Sequence, residues 1–299
     1  MSEPQSKKIE DVAGCLIKGE RQFLMNYAAN MYTGQGAIVD LGCFLGSSTY
    51  ALAQGLEDNT QVTDKSKRIL AYDRFEWNAW MERPAERYGL AKKYNENDCF
   101  VDEFERQMGD KTPYIKTVKG DLTELKWESD QPIEYLFVDS MKMWDLCNSI
   151  MAGFYPAMKP GLSYLHHQDF VFFGTYWIHL TMFRMKDYFE SVDHDYMGPS
   201  KVFKYTKQMP SDFMNIVYSL DDFSVSEIND AMDYSEAVVA DRGKLFIAGA
   251  RIHAMVAKKE YDVANSLMEE AKTKYPKLLE HAQFKMSYER VMESSRAAA

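Results

Sequence analysis

The chain changes rhythm about two thirds of the way along. In the first part, short and nearly unbroken apolar runs end at polar or glycine-containing turns, which predicts strands over residues 37–40, 68–73, 115–119, 133–139 and 162–167. Between these runs, apolar residues recur at the spacing of one helix face, over residues 13–31, 47–55, 98–108, 144–158 and about 175–189. Strands apolar on both faces that alternate with helices predict a mostly parallel sheet covered on both sides. The turn MGPS, flanked by residues 190–196 and 201–207, predicts an antiparallel hairpin that closes the sheet. Beyond about residue 211 the strand pattern fades, and residues 224–299 carry helical periodicity almost without turn residues. Within that tail, Tyr261, Ala264, Ala271 and Pro276 have the spacing of the second half of a tetratricopeptide repeat. A solenoid needs about three repeats to bury a core. A helical appendage, packed on the domain or on a second subunit, is therefore the expectation. The expected division is a domain over 1–220, with a helical lead-in over 1–35, and an appendage over 221–299.

Composition narrows the partners. With 46% apolar and 27% charged residues the chain is ordinary globular material, and a formal net charge of -10 disfavours nucleic acid or an anionic membrane, both of which reward clustered Lys and Arg. A small-molecule ligand is expected instead. The opening MSEPQSKKIED has no apolar core of a signal peptide, and no stretch is apolar for the length of a bilayer, so a cytoplasmic location is expected. Cys15, Cys43, Cys99 and Cys147 are scattered without a C-x-x-C pair, which predicts reduced core thiols and neither a zinc site nor a disulfide framework. The 19 methionines are expected to fill irregular core gaps.

The chemistry concentrates in AIVDLGCFLGSST, residues 37–49, where a buried strand ends at Asp40 and turns through Gly42 and Gly46 into a helix that begins at Ser47. A loop of this kind lets its backbone approach a ligand at the carboxyl end of a parallel sheet. The dinucleotide fingerprint G-x-G-x-x-G is not met, because Phe44 stands at the middle glycine, where a large side chain is expected to block a pyrophosphate. A phosphate-binding G-K-[ST] is also missing. An acid at the head of the loop repels phosphates and suits a ligand carrying ammonium and sulfonium groups.

DLGCFLG resembles the first motif of class I S-adenosylmethionine-dependent methyltransferases, and the resemblance extends over about residues 20–210. It implies a doubly wound, Rossmann-like, mostly parallel seven-stranded sheet with a C-terminal antiparallel hairpin. It also implies that Asp40, Gly42, Cys43, Phe44, Gly46 and Ser47 cradle the methionine part of the cofactor. ILAYDRFEW places Asp73, followed by Arg74, where the family takes the ribose hydroxyls. VKGDL places Asp121 and Leu122 where it contacts the adenine amino group. PIEYLFVDSMKMW and FYPAMKPGLSYLHHQDF are similar to the fourth- and fifth-strand motifs. On residue chemistry alone, Asp40 also suits a helix cap and Asp73 or Asp121 a turn.

The same region resembles methyltransferases of catechols, caffeoyl esters and antibiotic sugars, which hold a divalent cation with an acid after the fourth strand and an Asp-Asp or Asp-Asn pair after the fifth. Asp139 matches the first position. Gln168 and Asp169 occupy the second, with a carboxamide in place of one acid. This implies a Mg²⁺ site at Asp139, Gln168 and Asp169, with Lys142 as the base. The metal-free alternative uses His166 or His167, whose unperturbed imidazole titrates near neutrality. The aromatic stretch FVFFGTYWIHLTMF is expected to be a buried helix, a subunit face or a wall for the acceptor.

The expected function is methyl transfer from S-adenosylmethionine to a hydroxyl of a sugar or other small metabolite, by a homo-oligomer. Three rivals stand beside it. One is N-methylation of a small molecule or peptide, another a non-catalytic module whose helical tail binds a protein. The third, a nicotinamide-dependent oxidoreductase, is opposed by Phe44.

Overall fold

The computed structural model describes residues 8–90, 93–192, 198–211 and 213–297. Seven strands run in chain order as β1 (Ala37–Leu41), β2 (Ile69–Asp73), β3 (Ile115–Lys119), β4 (Ile133–Val138), β5 (Tyr164–His167), β6 (Phe189–Ser191) and β7 (Lys201–Tyr205). They form one sheet in the order β3-β2-β1-β4-β5-β7-β6. The pairs β1–β2, β1–β4 and β2–β3 are parallel and β6–β7 is antiparallel, as the sequence pattern predicts. Part of the expected hairpin turn lies outside the described residues.

By contact density the chain forms two compact units, Met1–Ser140 with Gly153–His166, and Met141–Ala152 with His167–Ala299. In the first, β1 and β4 are buried along their whole length, so they lack the alternation of a half-exposed strand. The helices α1 (Lys18–Asn30) and α2 (Ser47–Asp58) join that core through Leu24, Tyr27, Ala28, Ala51, Leu52 and Leu56. The long crossover from β2 to β3 holds α3 (Glu82–Arg87) and α4 (Val101–Met108). It contributes an aromatic cluster in which the rings of Phe75, Trp77 and Tyr94 meet that of Phe100 and the ring of Phe104 meets that of Phe75.

Three helix boundaries differ from the expected ones for identifiable reasons. α1 begins at Lys18 and not at residue 13, because buried Arg21 claims the preceding backbone. Its guanidinium donates to the carbonyls of Ile9 (2.6 Å), Val12 (2.6 Å) and Leu16 (3.0 Å), and to the Tyr88 hydroxyl (2.7 Å). α5 (Trp144–Phe154) stops before the expected residue 158, where Pro156 has no N–H to extend it and a short 3₁₀ turn follows. α6 (Tyr176–Met185) passes through a 3₁₀ turn, and Phe189, expected to be helical, is the first residue of β6.

In the second unit, among the described residues, five α-helices follow β7: α7 (Val225–Val238), α8 (Asp241–Ala257), α9 (Tyr261–Lys274), α10 (Pro276–Glu280) and α11 (Ala282–Ala297). Both α7 and α8 contact α6, and α9 and α11 contact α8. The tail residues with repeat-like spacing have local roles, since Ala264 and Ala271 are buried on α9 and Pro276 opens α10. Arg184 of α6 donates to Glu227 of α7 at 2.8 Å, and its guanidinium lies 3.9 Å from the centre of the Phe223 ring. Cys43 and Cys147 are core thiols as expected, whereas Cys15 and Cys99 are exposed. Among the described residues, no helix is long and apolar enough to cross a membrane.

Candidate cofactor cradle and acid loop

The strand order reverses between β1 and β4, so the chain leaves these neighbouring strands toward different sides of the sheet. A crevice at their carboxyl ends is where open α/β sheets place ligands. Asp40, paired in register with Phe137 of β4, lies next to that end. Its carboxylate is fully buried. Oδ2 accepts hydrogen bonds from the hydroxyls of Ser48 (2.8 Å) and Thr49 (2.6 Å) in the first turn of α2, so Asp40 does tie strand to helix. Oδ1 is equally buried and has no hydrogen-bond partner among the described residues. Burial pushes the Asp40 pKa up to about 7, against the hydroxyl donors that pull it down and with the help of the nearby Asp139 and Asp73 charges.

The loop that follows uses its own N–H groups. Gly42 and Cys43 donate to the Tyr72 carbonyl (2.9 and 3.3 Å), Phe44 to Oδ2 of Asp73 (2.9 Å), and Gly46 to the Cys43 carbonyl (2.8 Å). A phosphate-binding loop presents such donors to its ligand. Here these four are already satisfied, beside two buried or half-buried carboxylates. Gly42 adopts φ +87°, and a Cβ on it would stand 2.8 Å from the Asp139 carbonyl oxygen. Gly46, at φ +98°, leads into α2.

Phe44 corrects one expectation. Its backbone is left-handed (φ +46°) and its ring is buried, 5.3 Å from the ring of Trp80 and 5.9 Å from that of Phe100. The ring therefore belongs to the aromatic cluster of the crossover and does not stand guard over the glycines. The committed N–H groups and the acids disfavour a pyrophosphate more directly than the side chain does.

At the end of β2, Asp73 accepts from the backbone of Phe44 and, through Oδ1, of Phe75 (2.8 Å). Each oxygen keeps a second lone pair for a ligand hydroxyl. Burial raises the Asp73 pKa despite these donors. Asp121 is a turn residue: its Oδ1 accepts from the N–H (2.9 Å) and hydroxyl (2.8 Å) of Thr123, and these bonds hold its pKa below the usual carboxylate value. Oδ2 of Asp121 faces Arg74 at 3.7 Å, which links the ends of β3 and β2. Leu122 is buried and Asp139 half-buried. Sequence reasoning missed Glu134, a buried acid on β4. Its two oxygens accept from the N–H (2.6 Å) and hydroxyl (3.0 Å) of Thr33 and from the N–H of Gly36 (3.0 Å), fixing the turn that enters β1. A single Glu inside an apolar strand was the available signal.

The two histidines are core residues. His166, in the first unit, is fully buried; its Nδ1 lies 2.6 Å from the Tyr135 hydroxyl, and the rings of Phe23 and Phe137 meet it edge-on. His167, in the second unit, is also buried, and burial with a contribution from His179 brings its pKa down to about 3. It stays neutral through the physiological range and does not supply the near-neutral titration expected of it.

In the second unit the Lys142 ammonium donates to Oδ2 of Asp169. The Trp177 indole N–H donates to the Met141 carbonyl (2.8 Å), and the Thr175 hydroxyl donates to the carbonyl of Asp169 (2.8 Å), so both ends of the ion pair are anchored by α6 or its cap. Gln168 is buried beside it in sequence. Among the described residues, no group of three or more His, Cys, Asp and Glu side chains is arranged to hold a metal ion, and the Asp169 carboxylate is matched to a lysine. Most of the aromatic stretch is core: Phe170, Phe173, Ile178, Leu180 and Met182 are buried.

No protein-family model and no curated protein matches the sequence. Among solved structures, the chain is similar to the O-methyltransferase NovP, with 13% identity over 64% of this chain and 79% of that one and a TM-score of 0.45. It is similar to an O-methyltransferase from Bacillus cereus in complex with SAH, with 15% identity over 68% and 92% of the two chains and a TM-score of 0.44. It is also similar to an rRNA methylase from Streptococcus thermophilus, with 9% identity over 64% and 100% and a TM-score of 0.40.

Proposed function

We propose that the protein is an S-adenosylmethionine-dependent methyltransferase acting on a hydroxyl of a sugar or other small metabolite. The observation that carries the reading is the buried Oδ1 of Asp40, without a hydrogen-bond partner among the described residues, beside a glycine loop four of whose N–H groups are already bonded. An acceptor left buried without a donor costs about 1–3 kcal/mol, and a ligand ammonium removes that cost. A pyrophosphate ligand would find spent donors and negative charge in the same place.

S-adenosylmethionine, when bound, supplies a methyl group already activated on a sulfonium. The chain's part is to bind, orient and manage a proton. Asp40 and the backbone of residues 42–46 hold the methionine end, Asp73 the ribose hydroxyls, and Asp121 with Leu122 the adenine. Lys142 and Asp169, whose side chains reach the surface, are assigned to the acceptor hydroxyl and its proton, in preference to the buried histidines. This route needs no Mg²⁺. The net charge of -10 favours a small acceptor over nucleic acid.

Calorimetric titration with S-adenosylhomocysteine, with and without Mg²⁺, tests the reading. Saturable binding of equal affinity in both buffers is expected. No binding to S-adenosylhomocysteine, together with binding of NAD, would replace this reading with the oxidoreductase.

A further inference from the structure

The acid loop between β5 and α6 is held from the far end of the sequence. The Phe173 ring, four residues beyond Asp169, is fully buried. Around it stand Phe246 and His253 of α8 (6.2 and 5.6 Å between ring centres), His281 (5.7 Å) and Phe284 of α11 (5.5 Å). The Phe173 carbonyl accepts a hydrogen bond from Nδ1 of His253 at 2.9 Å, which fixes the proton on Nδ1; Nε2 is buried without a partner among the described residues. Gly249 lets α8 come this close, since a Cβ there would stand 2.8 Å from Cβ of Phe173. From Phe173 the connection to Asp169 is short. The Thr175 hydroxyl bonds the carbonyls of Phe172 (3.2 Å) and Asp169 (2.8 Å), and the N–H of Val171 bonds the Pro199 carbonyl (2.6 Å).

We propose that the C-terminal helices are a positioning element for the Asp169 carboxylate, and that His253 is the positioning residue, acting through the Phe173 carbonyl on the loop that carries Gln168 and Asp169. A helical tail whose only task was to cover apolar surface would need Phe173 and its aromatic neighbours, but not a buried imidazole with one nitrogen spent on a loop carbonyl and the other left bare. The imidazole is a net cost unless the carbonyl it holds matters. The consequence for an acceptor rests on the methyltransferase reading; the mechanical link does not.

Hydrogen–deuterium exchange on the full chain tests the link. His253→Leu removes the donor and His253→Gln moves an amide to the wrong place, whereas His253→Asn sets an amide nitrogen close to where Nδ1 stands. Amides of residues 170–174 should exchange about tenfold faster in the Leu and Gln variants and return to within about twofold of the parent in the Asn variant, with α9 unchanged throughout. If the Leu variant does not fold, the Gln and Asn pair decides alone. Equal protection of the loop in all variants, or loss in the Asn variant equal to that in the Gln variant, overturns the proposal. Failure of the unaltered protein to bind S-adenosylhomocysteine would instead remove the methyltransferase reading and leave the exchange result standing.

Discussion

The glycine loop after β1 and the acid loop after β5 are both turns that leave a buried strand, yet they are held in different ways. The first is closed partly within its own turn, where Ser48 and Thr49 bind Asp40, and partly by the adjoining strand β2, whose Tyr72 and Asp73 receive the loop N–H groups, Asp73 being 29 residues from Phe44. The second depends on Thr175 nearby but also on Pro199 and on His253, which is 80 residues from its partner Phe173. Local turn chemistry can be read from contiguous residues. Orientation supplied by a distant helix cannot.

The most severe way to break this contrast is to remove the distant support. A chain ending near Asp222 keeps every residue assigned to the cofactor but uncovers Phe173 and the faces of α6 and the acid loop that the tail buries, and it should be recovered mainly as aggregate on size-exclusion chromatography. A soluble monomer of full S-adenosylhomocysteine affinity would show that the two loops are equally self-sufficient.

Asp40→Asn gives the next largest effect. The folded-state pKa of Asp40 is raised from 3.8 to about 7, so the empty fold retains a proton that the unfolded chain releases. Stability is therefore fully present below about pH 4 and declines as pH rises from about 4 to 7, with a ceiling of about 4 kcal/mol. The Asn variant should lack this decline and melt higher than the parent above pH 7, while its affinity for S-adenosylhomocysteine falls. A parent and variant with parallel melting profiles from pH 4 to 8 would place the buried charge elsewhere.

Asp73→Ala should weaken S-adenosylhomocysteine binding by about 1–3 kcal/mol in calorimetry, since the ribose hydroxyls lose a charged acceptor and the Phe44 N–H loses its partner. Unchanged affinity would show that β2 ends at a structural turn only.

The comparison also explains what the sequence made legible. The seven strands and the final hairpin follow from apolar runs and turn residues, and β3 has the predicted limits, residues 115–119. The glycine loop after β1 was legible for the same local reason. Arg21, Pro156 and Phe189 moved helix ends through a buried guanidinium, a missing N–H and a strand pairing, of which only the proline is visible in isolation. His166 and His167 misled because two histidines near a strand end look alike whether they face a site or a core, and only packing by Phe23, Phe137 and Phe203 decides. The ion pair between Lys142 and Asp169 was not legible, because it is a matter of where two loops meet and not of composition.

On the proposed function, the bare oxygen of Asp40 would make ligand capture an exchange of cations. In the empty fold the carboxyl holds a proton through much of the range below about pH 7. An incoming ammonium requires the carboxylate, so capture expels that proton into the solvent. The heat of binding should then differ between buffers in proportion to their own heats of ionisation, approaching one proton released per ligand in acid and none in base.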